Sequence, residues 1–229
     1  MSVSSLFSPE TQGYAPEPLR SRFEVCRSLA DGEPAFPLTR VDPLFEEQAV
    51  SFGRSVRPMN ATGPTDWLVQ AIAKLTSDIQ SLNMTLRPVH LPMPVSIFTD
   101  GNAAEIAQLA VTEAGFCCQE FIVEIQDASL ASGESDVFDR LDAFRRKGFR
   151  IALDARKSAA TPFSSRIRGV IERLRVNATD LIIDDMLQLR ADMVTCIGGD
   201  VIVDRAGWRQ ADELRQLGAT HALKLLTDA

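Results

Sequence analysis

The feature that most constrains the fold is an alternation of short, β-rich apolar runs with helical segments over the second half of the chain. The runs are EFIVEI (120–125), FRIALD (149–154), DLIID (180–184) and DVIVD (200–204). Such alternation predicts parallel strands joined by right-handed crossovers, with at least four βα units. With 229 residues, of which 45% are apolar, the chain is long enough to bury the core of a one-domain α/β barrel.

Helical periodicity marks the segments between and before these runs. Residues 63–83 carry apolar side chains at helical spacing after Pro64 and predict the first long helix of the barrel. Residues 136–148 predict another helix that ends at Gly148. A third helix is expected in ADELRQLG (211–218), followed by a short strand in HALKLL (221–226).

The N-terminal part of the chain is less regular. Residues 1–17 are rich in Ser, Pro, Gly and Gln and predict a flexible tail, with one barrel domain over 18–229. In LRSRFEVCRSLADGE (19–33) the apolar residues are three or four apart, which predicts an amphipathic helix that ends near Gly32. Two short extended runs are expected around 36–41 and 45–52.

Charge and cysteine usage limit the class of protein. A net charge of −7 argues against nucleic-acid binding, which needs clustered Lys and Arg. The four cysteines form no CxxC pair and predict reduced, structural thiols. We find no signal peptide and no apolar stretch long enough to cross a bilayer, so we expect a cytoplasmic protein without a membrane partner.

Acidic residues lie at or near the ends of the predicted strands: Glu124, Asp154, Asp184 and Asp204. In a barrel of this class, the groups that act on a ligand lie at the carboxyl ends of the strands. Carboxylates that meet there repel one another unless a cation, an Arg or a proton separates them, so the pattern suggests a present or former metal site. Each Asp could equally cap the next helix by accepting bonds from unpaired N–H groups.

Several of these segments resemble EAL-type cyclic-di-GMP phosphodiesterases. FIVEIQD is similar to their LEITE-type motif, LDAFRRKGFRIALDA to the segment that leads into DDFGTG, and VNATDLIID to LPVDRLKID. The C-terminal VIVDRAGWRQADELRQLGATHALKLL is similar to the segment that carries VAEGVET. The resemblance implies an EAL-type, TIM-like (β/α) barrel with shortened or missing helical segments.

The resemblance also implies that much of the family's two-metal machinery is missing. Val50 stands at the metal-binding Glu of the EAL signature, Ala155 at the second Asp of DDFGTG, and Ile182 at the Lys of KID. The later Glu of VAEGVET becomes Ala206 or Gly207, and Leu223 falls at the final Gln. The family's Asn position falls on Ser96, which the apolar alternation around it favours, or on His90.

What remains are candidate ligand-binding residues rather than a catalytic set: Arg54, Glu124, Asp154, Asp184 and Asp204. Of these, Arg54 matches the family's phosphate-contacting Arg, and Glu124 with Asp154 would be vestigial metal ligands. We expect no cofactor, no bound metal and no catalytic residue. His221 is expected to be a packed residue at a strand end, and a set of arginines is expected to lie on an exposed helical face: Arg166, Arg168, Arg173 and Arg175.

The expected function is therefore that of an inactive, EAL-like regulatory protein that binds another protein in bacterial signalling. Alternatives are a cyclic-di-GMP receptor that does not cleave its ligand, a residual metal-dependent phosphodiesterase, and a different barrel enzyme that uses Glu124, Asp154 and Asp184. Homodimerisation is a further possibility that the resemblance raises.

Overall fold

The computed structural model of the protein describes residues 19–42, 63–131, 135–162 and 164–223. Eight strands close into a barrel in chain order. They are β1 (Arg20–Ser28), β2 (Pro34–Asp42), β3 (Val89–Pro92), β4 (Phe121–Gln126), β5 (Arg150–Asp154), β6 (Arg173–Asn177), β7 (Asp200–Asp204) and β8 (His221–Leu223). Strand β1 runs antiparallel to both of its neighbours, and the other strand pairs are parallel.

Helices follow most of the parallel strands, as the alternation predicts. They are α1 (Pro64–Ser81), α2 (Ala103–Glu113), α3 (Asp127–Ala131), α4 (Ser135–Arg146), α5 (Ser165–Arg168), α6 (Ala178–Ile183), α7 (Asp185–Cys196) and α8 (Ala211–Gln216). Short 3₁₀ turns cover Val95–Thr99, Cys118–Glu120 and Trp208–Gln210. The predicted helices over 63–83, 136–148 and 211–218 are confirmed, as are the strands in EFIVEI, FRIALD, DVIVD and the start of HALKLL.

The predicted first helix over 19–33 is wrong, because this segment forms β1 and the turn into β2. Strand β1 pairs with β2 on one side and with β8 on the other, so it closes the barrel. Backbone pairing on both edges outweighs the helical spacing of a few apolar side chains. Gly32 adopts φ 77°, and this left-handed geometry serves the hairpin rather than a helix end.

The predicted strand in DLIID (180–184) is also wrong. The strand lies one segment earlier, at β6, and residues 178–183 form α6. The sequence of β6 is RLRVN, in which arginines rather than apolar residues occupy alternate positions. A prediction based on apolar runs therefore selects the following segment, 180–184, instead of β6. The predicted tail (1–17) and the extended run around 45–52 lie outside the described residues.

The apolar core has two parts. The larger part fills the space between the outer face of the strands and the helices, and includes Trp67, Phe121 and Phe144. The smaller part lies inside the barrel and consists of Cys26, Phe36, Leu38, Ile202 and Leu223. Barrel interiors of this class are normally filled by layers of bulky apolar side chains. Here the apolar cluster shares the interior with charged residues, which form the candidate site.

Two remaining features concern the cysteines and the lengths of the helices. All four cysteines are free thiols, and burial raises the pKa of Cys26, inside the barrel, to about 12. Over the described ranges, no helix combines the length and the apolar character needed to cross a membrane.

Candidate functional site

Three of the four predicted acids meet inside the carboxyl end of the barrel. Glu124 comes from β4, Asp154 from the end of β5 and Asp204 from the end of β7. All three are buried, with 4%, 7% and 7% of their surface exposed. Each lies at an inward position of its strand because side chains alternate between the two faces of a β-strand.

Two arginines lie between these acids. The Arg175 guanidinium donates to both carboxylate oxygens of Asp204, at 3.0 and 3.1 Å. Its Nη1 also donates to Oε1 of Glu124 at 3.0 Å. Arg156 donates to both oxygens of Asp154, each at 2.8 Å, and to Oδ2 of Asp204 at 2.6 Å. We call these five residues the mouth cluster: Glu124, Asp154, Asp204, Arg156 and Arg175.

A histidine makes the second side-chain hydrogen bond to Glu124. His90 on β3 is 1% exposed, and its Nδ1 lies 3.0 Å from Oε2 of Glu124. On the other side of the ring, Nη1 of Arg173 lies 3.0 Å from Nε2. A guanidinium can only donate, so Nε2 must accept and the proton must lie on Nδ1, where it is donated to Glu124.

The network continues away from the mouth through Arg173. Its Nε lies 2.9 Å from Oδ2 of Asp200, and its guanidinium lies 3.7 Å from the ring centroid of Phe36. Phe36 in turn stacks on His90 with the ring centroids 5.4 Å apart. Charged groups inside the barrel are thus paired along its length, as buried charges must be.

The charge states of this network follow from its geometry. Burial lowers the pKa of His90 to about 4, so the ring is neutral at pH 7. For Glu124, burial alone would raise the pKa, but the Arg175 charge and the His90 hydrogen bond outweigh it and lower the pKa to about 2. Burial likewise opposes the charge on Arg175, and Glu124 with Asp204 outweighs it and raises the Arg175 pKa.

These contacts leave the carboxylates poorly suited to bind divalent cations. Both oxygens of Glu124, of Asp154 and of Asp204 already accept hydrogen bonds from Arg or His side chains. A metal ion would need these same oxygens and would be repelled by the two guanidinium charges. Among the described residues, no group of three or more His, Cys, Asp or Glu is arranged to hold a metal ion. Within the described part of the chain, the residues at the barrel mouth therefore do not fit a pair of divalent cations.

The loop after β5 holds Arg156 in place. The Asn177 amide donates to the backbone oxygen of Arg156 at 2.9 Å. Farther along the loop, the fully buried Asp127 accepts from Ser158 Oγ at 3.0 Å and from the Ala160 N–H at 2.7 Å. Several contacts thus fix the loop whose arginine enters the mouth cluster, and Asp127 is a contributor that the sequence analysis did not single out.

Asp184 does not belong to the site. It lies at the start of α7, where its Oδ1 accepts from the N–H groups of Met186 at 2.8 Å and Leu187 at 3.2 Å. Asp184 thus caps a helix, which is the alternative role of an Asp at the end of a predicted strand. Ile182 lies on α6 and so is not a residue of a barrel strand. Strand β6 instead sends Arg173 and Arg175 into the barrel, and Arg175 is the one that reaches the acids at the mouth.

The expectation that Ser96, rather than His90, is the strand residue that faces the site is also wrong. Ser96 lies in the 3₁₀ turn Val95–Thr99, whereas His90 lies on β3 and contacts Glu124. Two prolines before Ser96, at 92 and 94, end the strand because proline cannot donate to the ladder. Arg54 and Val50 lie outside the described residues, so their roles stay predictions.

The arginine set divides into two pairs. Arg166 and Arg168 are exposed on α5, as expected, but Arg173 and Arg175 are buried inside the barrel, so their assignment to an exposed helix is wrong.

Ala155 and Ala206 are buried next to the strand ends, and Leu223 is one of the apolar residues of the interior. His221 is confirmed as a strand-end residue, with Nδ1 2.9 Å from Thr220 Oγ1.

Comparisons by sequence give no relatives. No protein-family model matches the chain, and no curated protein sequence matches it.

Comparison with solved structures gives strong matches. The Klebsiella pneumoniae BlrP1 manganese/cy-diGMP complex superimposes with a TM-score of 0.70 at 14% identity, over 93% of this chain and 56% of that one. The EAL domain of Mycobacterium smegmatis DcpA gives 0.66 at 13% identity, over 90% of this chain and 89% of that domain. The PaMucR phosphodiesterase in complex with c-di-GMP gives 0.69 at 10% identity, over 90% and 94%.

This chain spans little more than half the length of the BlrP1 chains, but most of the DcpA domain and of the MucR structure. At identities of 14% or less, the match concerns the course of the backbone and not the residues of a site. The closed barrel of this protein has the fold of the EAL-type barrels.

Proposed function

We propose that this protein is a catalytically inactive EAL-type barrel of the cyclic-di-GMP signalling systems, and that it acts by binding a regulatory protein partner. The observation that carries the proposal is the position of two guanidinium groups, from Arg156 and Arg175, among the acids of the barrel mouth. Fold persists when a site is lost, and the surface of a barrel can then acquire a binding role.

The physical argument concerns what a two-metal hydrolysis needs. Two divalent cations must be held close together by enough anionic ligands to generate a hydroxide near neutral pH. Here the three carboxylates are matched by two arginines, which supply fixed positive charge but bear no water that they could activate. Replacing a guanidinium by a cation would also leave a buried arginine without its partner, which costs several kcal/mol.

Other positions support the proposal. Strand β2 sends Phe36 and Leu38, both apolar, to the interior beside His90. The residue after Asp154 is a buried alanine. These side chains offer no lone pair to a metal ion, so extra ligands would have to come from groups other than these neighbours.

The proposal is tested by calorimetric titration with Ca²⁺, comparing the wild-type protein with Arg156→Ala. We expect no saturable heat from the wild type. In the variant, Asp154 loses both hydrogen bonds from the Arg156 guanidinium, and Asp204 loses one. These carboxylates should then bind Ca²⁺ weakly, with a Kd on the order of 1 mM. Arg168→Ala, which removes an exposed arginine on α5, is the matched control and should behave as the wild type.

Two results would contradict the proposal. Tight Ca²⁺ binding by the wild type would show that the arginines do not exclude metal from the mouth. The absence of a saturable heat in both the wild type and Arg156→Ala would show that Arg156 is not the group that keeps Ca²⁺ away from these carboxylates.

A receptor for cyclic-di-GMP is the second candidate, and one observation favours it. The Arg156 side chain is 30% exposed at the mouth, so its guanidinium could meet a phosphate of a ligand. Titration of the same samples with cyclic-di-GMP separates the two functions. Saturable heat that Arg156→Ala abolishes would identify a receptor, whereas the protein-binding role predicts none.

A further inference from the structure

Helix α7 has two apolar faces, of which one is covered. Leu187, Ala191 and Val194 are buried against the barrel. A second stripe, which we call the α7 ridge, consists of Met186, Leu189, Met193 and Ile197. Three of these four side chains are among the exposed large apolar residues of the described chain, at 60%, 46% and 54% for Met186, Leu189 and Ile197.

The spacing of the ridge is that of a helix-pairing seam. Its members are three, four and four residues apart, so at 100° per residue they lie in one narrow band along the helix. A band with this spacing is what the apolar face of a partner helix packs against. The ridge extends for roughly 16 Å, or three turns, which is enough to contact a short helix along its length.

The charges beside the ridge have one sign. Asp185 and Asp192 are seven residues apart, so they lie on the same edge of the ridge, on the side away from the buried face, and both are exposed. The one basic residue of the helix, Arg190, is 6% exposed and donates to the backbone oxygen of Thr161 at 2.8 Å. The solvent-facing edge of the ridge is therefore acidic.

This charge pattern decides between a second copy of the chain and a different partner. If two ridges packed against each other in antiparallel fashion, the acidic edges of the two copies would lie side by side, and like charges in that arrangement are unfavourable. A helix that carries Lys or Arg beside its apolar face would instead place opposite charges along the edge. The apolar contact would supply the affinity, and the charge would supply the selectivity.

We propose that the α7 ridge is the docking surface for a basic amphipathic helix of another protein. This inference deepens the proposed function and rests on it, since it names the surface and the chemistry of the partner. It uses none of the residues of the mouth cluster.

The test uses two synthetic peptides of about three heptads, with leucines at the seam positions and either Lys or Glu at the flanking positions. Fluorescence anisotropy measures their binding to the wild-type protein. We expect the Lys peptide to bind at least about tenfold more tightly than the Glu peptide. Leu189→Gln with Met193→Gln should weaken the Lys peptide at least about tenfold, and Asp185→Lys with Asp192→Lys should reverse the preference between peptides.

The control is Leu109→Gln, which removes an apolar side chain of similar exposure, 55%, from α2. It should leave both affinities unchanged, and circular dichroism should show all variants folded, because the changed side chains are exposed or, at Met193, only partly buried. A Lys peptide that binds the ridge variant as well as the wild type would overturn the proposal, since attraction to an acidic protein would then suffice. Equal binding of both peptides would overturn it as well.

Sedimentation equilibrium adds an independent outcome. A wild-type dimer that becomes monomeric with Leu189→Gln and Met193→Gln would identify a second copy as the occupant and overturn the proposal. Because the ridge is separate from the mouth cluster, hydrolysis of cyclic-di-GMP would refute the proposed function without affecting these binding results. Failure of the peptides to bind would refute the ridge alone.

Discussion

Replacing Arg175 with Met is expected to lower the free energy of unfolding by about 3–5 kcal/mol. The methionine fills a similar volume but leaves Glu124 without one partner and Asp204 without two hydrogen bonds, inside a barrel where water cannot replace them. Removing one partner from a buried ion pair costs far more than the pair contributes, because the remaining charge stays buried. Urea denaturation followed by circular dichroism measures the change.

The matched control for this variant is Arg168→Met, at an exposed position of α5, which should change stability by less than about 0.5 kcal/mol. A loss below about 1 kcal/mol for Arg175→Met would mean that water reaches Glu124 and Asp204 and that the cluster is not a closed network. Arg175 would then not be what balances the charges of Glu124 and Asp204 in the mouth cluster.

Acid is expected to destabilise the protein in two steps, and His90 accounts for the first. In the unfolded chain the histidine binds a proton below about pH 6.5, whereas in the folded barrel it does so only below about pH 4. Between these values the unfolded state holds more protons, so stability falls as the pH falls, by roughly 3 kcal/mol in total. Glu124, whose pKa moves from 4.5 to about 2, continues the loss between those two values.

The variant that isolates the first step is His90→Gln. Glutamine retains one donor and one acceptor but does not titrate, so the slope of stability against pH between 6.5 and 4 should fall by close to one proton. His221→Gln is the comparison, because burial also lowers the pKa of His221, which is less buried than His90. An unchanged slope in His90→Gln would place the acid sensitivity elsewhere.

Much of the fold was predictable because helices and apolar strands leave strong periodic signals. The barrel, the long helix α1 and strands β4, β5 and β7 follow directly from those patterns. Strand β1 was not, since a pairing with both β2 and β8 is a long-range event that a local window does not register. Strand β6 was missed because its inward positions hold arginines, which are rarely buried unless paired.

The candidate site was half predictable. Strand-end acids are visible in sequence, and Glu124, Asp154 and Asp204 do converge. Asp184 could be assigned only from structure, because a strand-end carboxylate and a helix cap use the same residue type. Arg156 has no signal in the sequence, and Arg175 was assigned to an exposed helix. RLRVN does carry a usable signal, because two arginines that alternate with Leu174 and Val176 lie on one face of a strand.

We propose that paired arginines leave the carboxylates of this barrel unable to support metal-dependent hydrolysis. The most direct measurement is chromatography of cyclic-di-GMP incubated with the purified protein and Mg²⁺ or Mn²⁺, with the MucR phosphodiesterase as positive control. We predict no linear dinucleotide above the protein-free blank. Linear product whose formation is lost in folded Asp154→Asn and Glu124→Gln variants would show that the barrel mouth does hold a catalytic metal site.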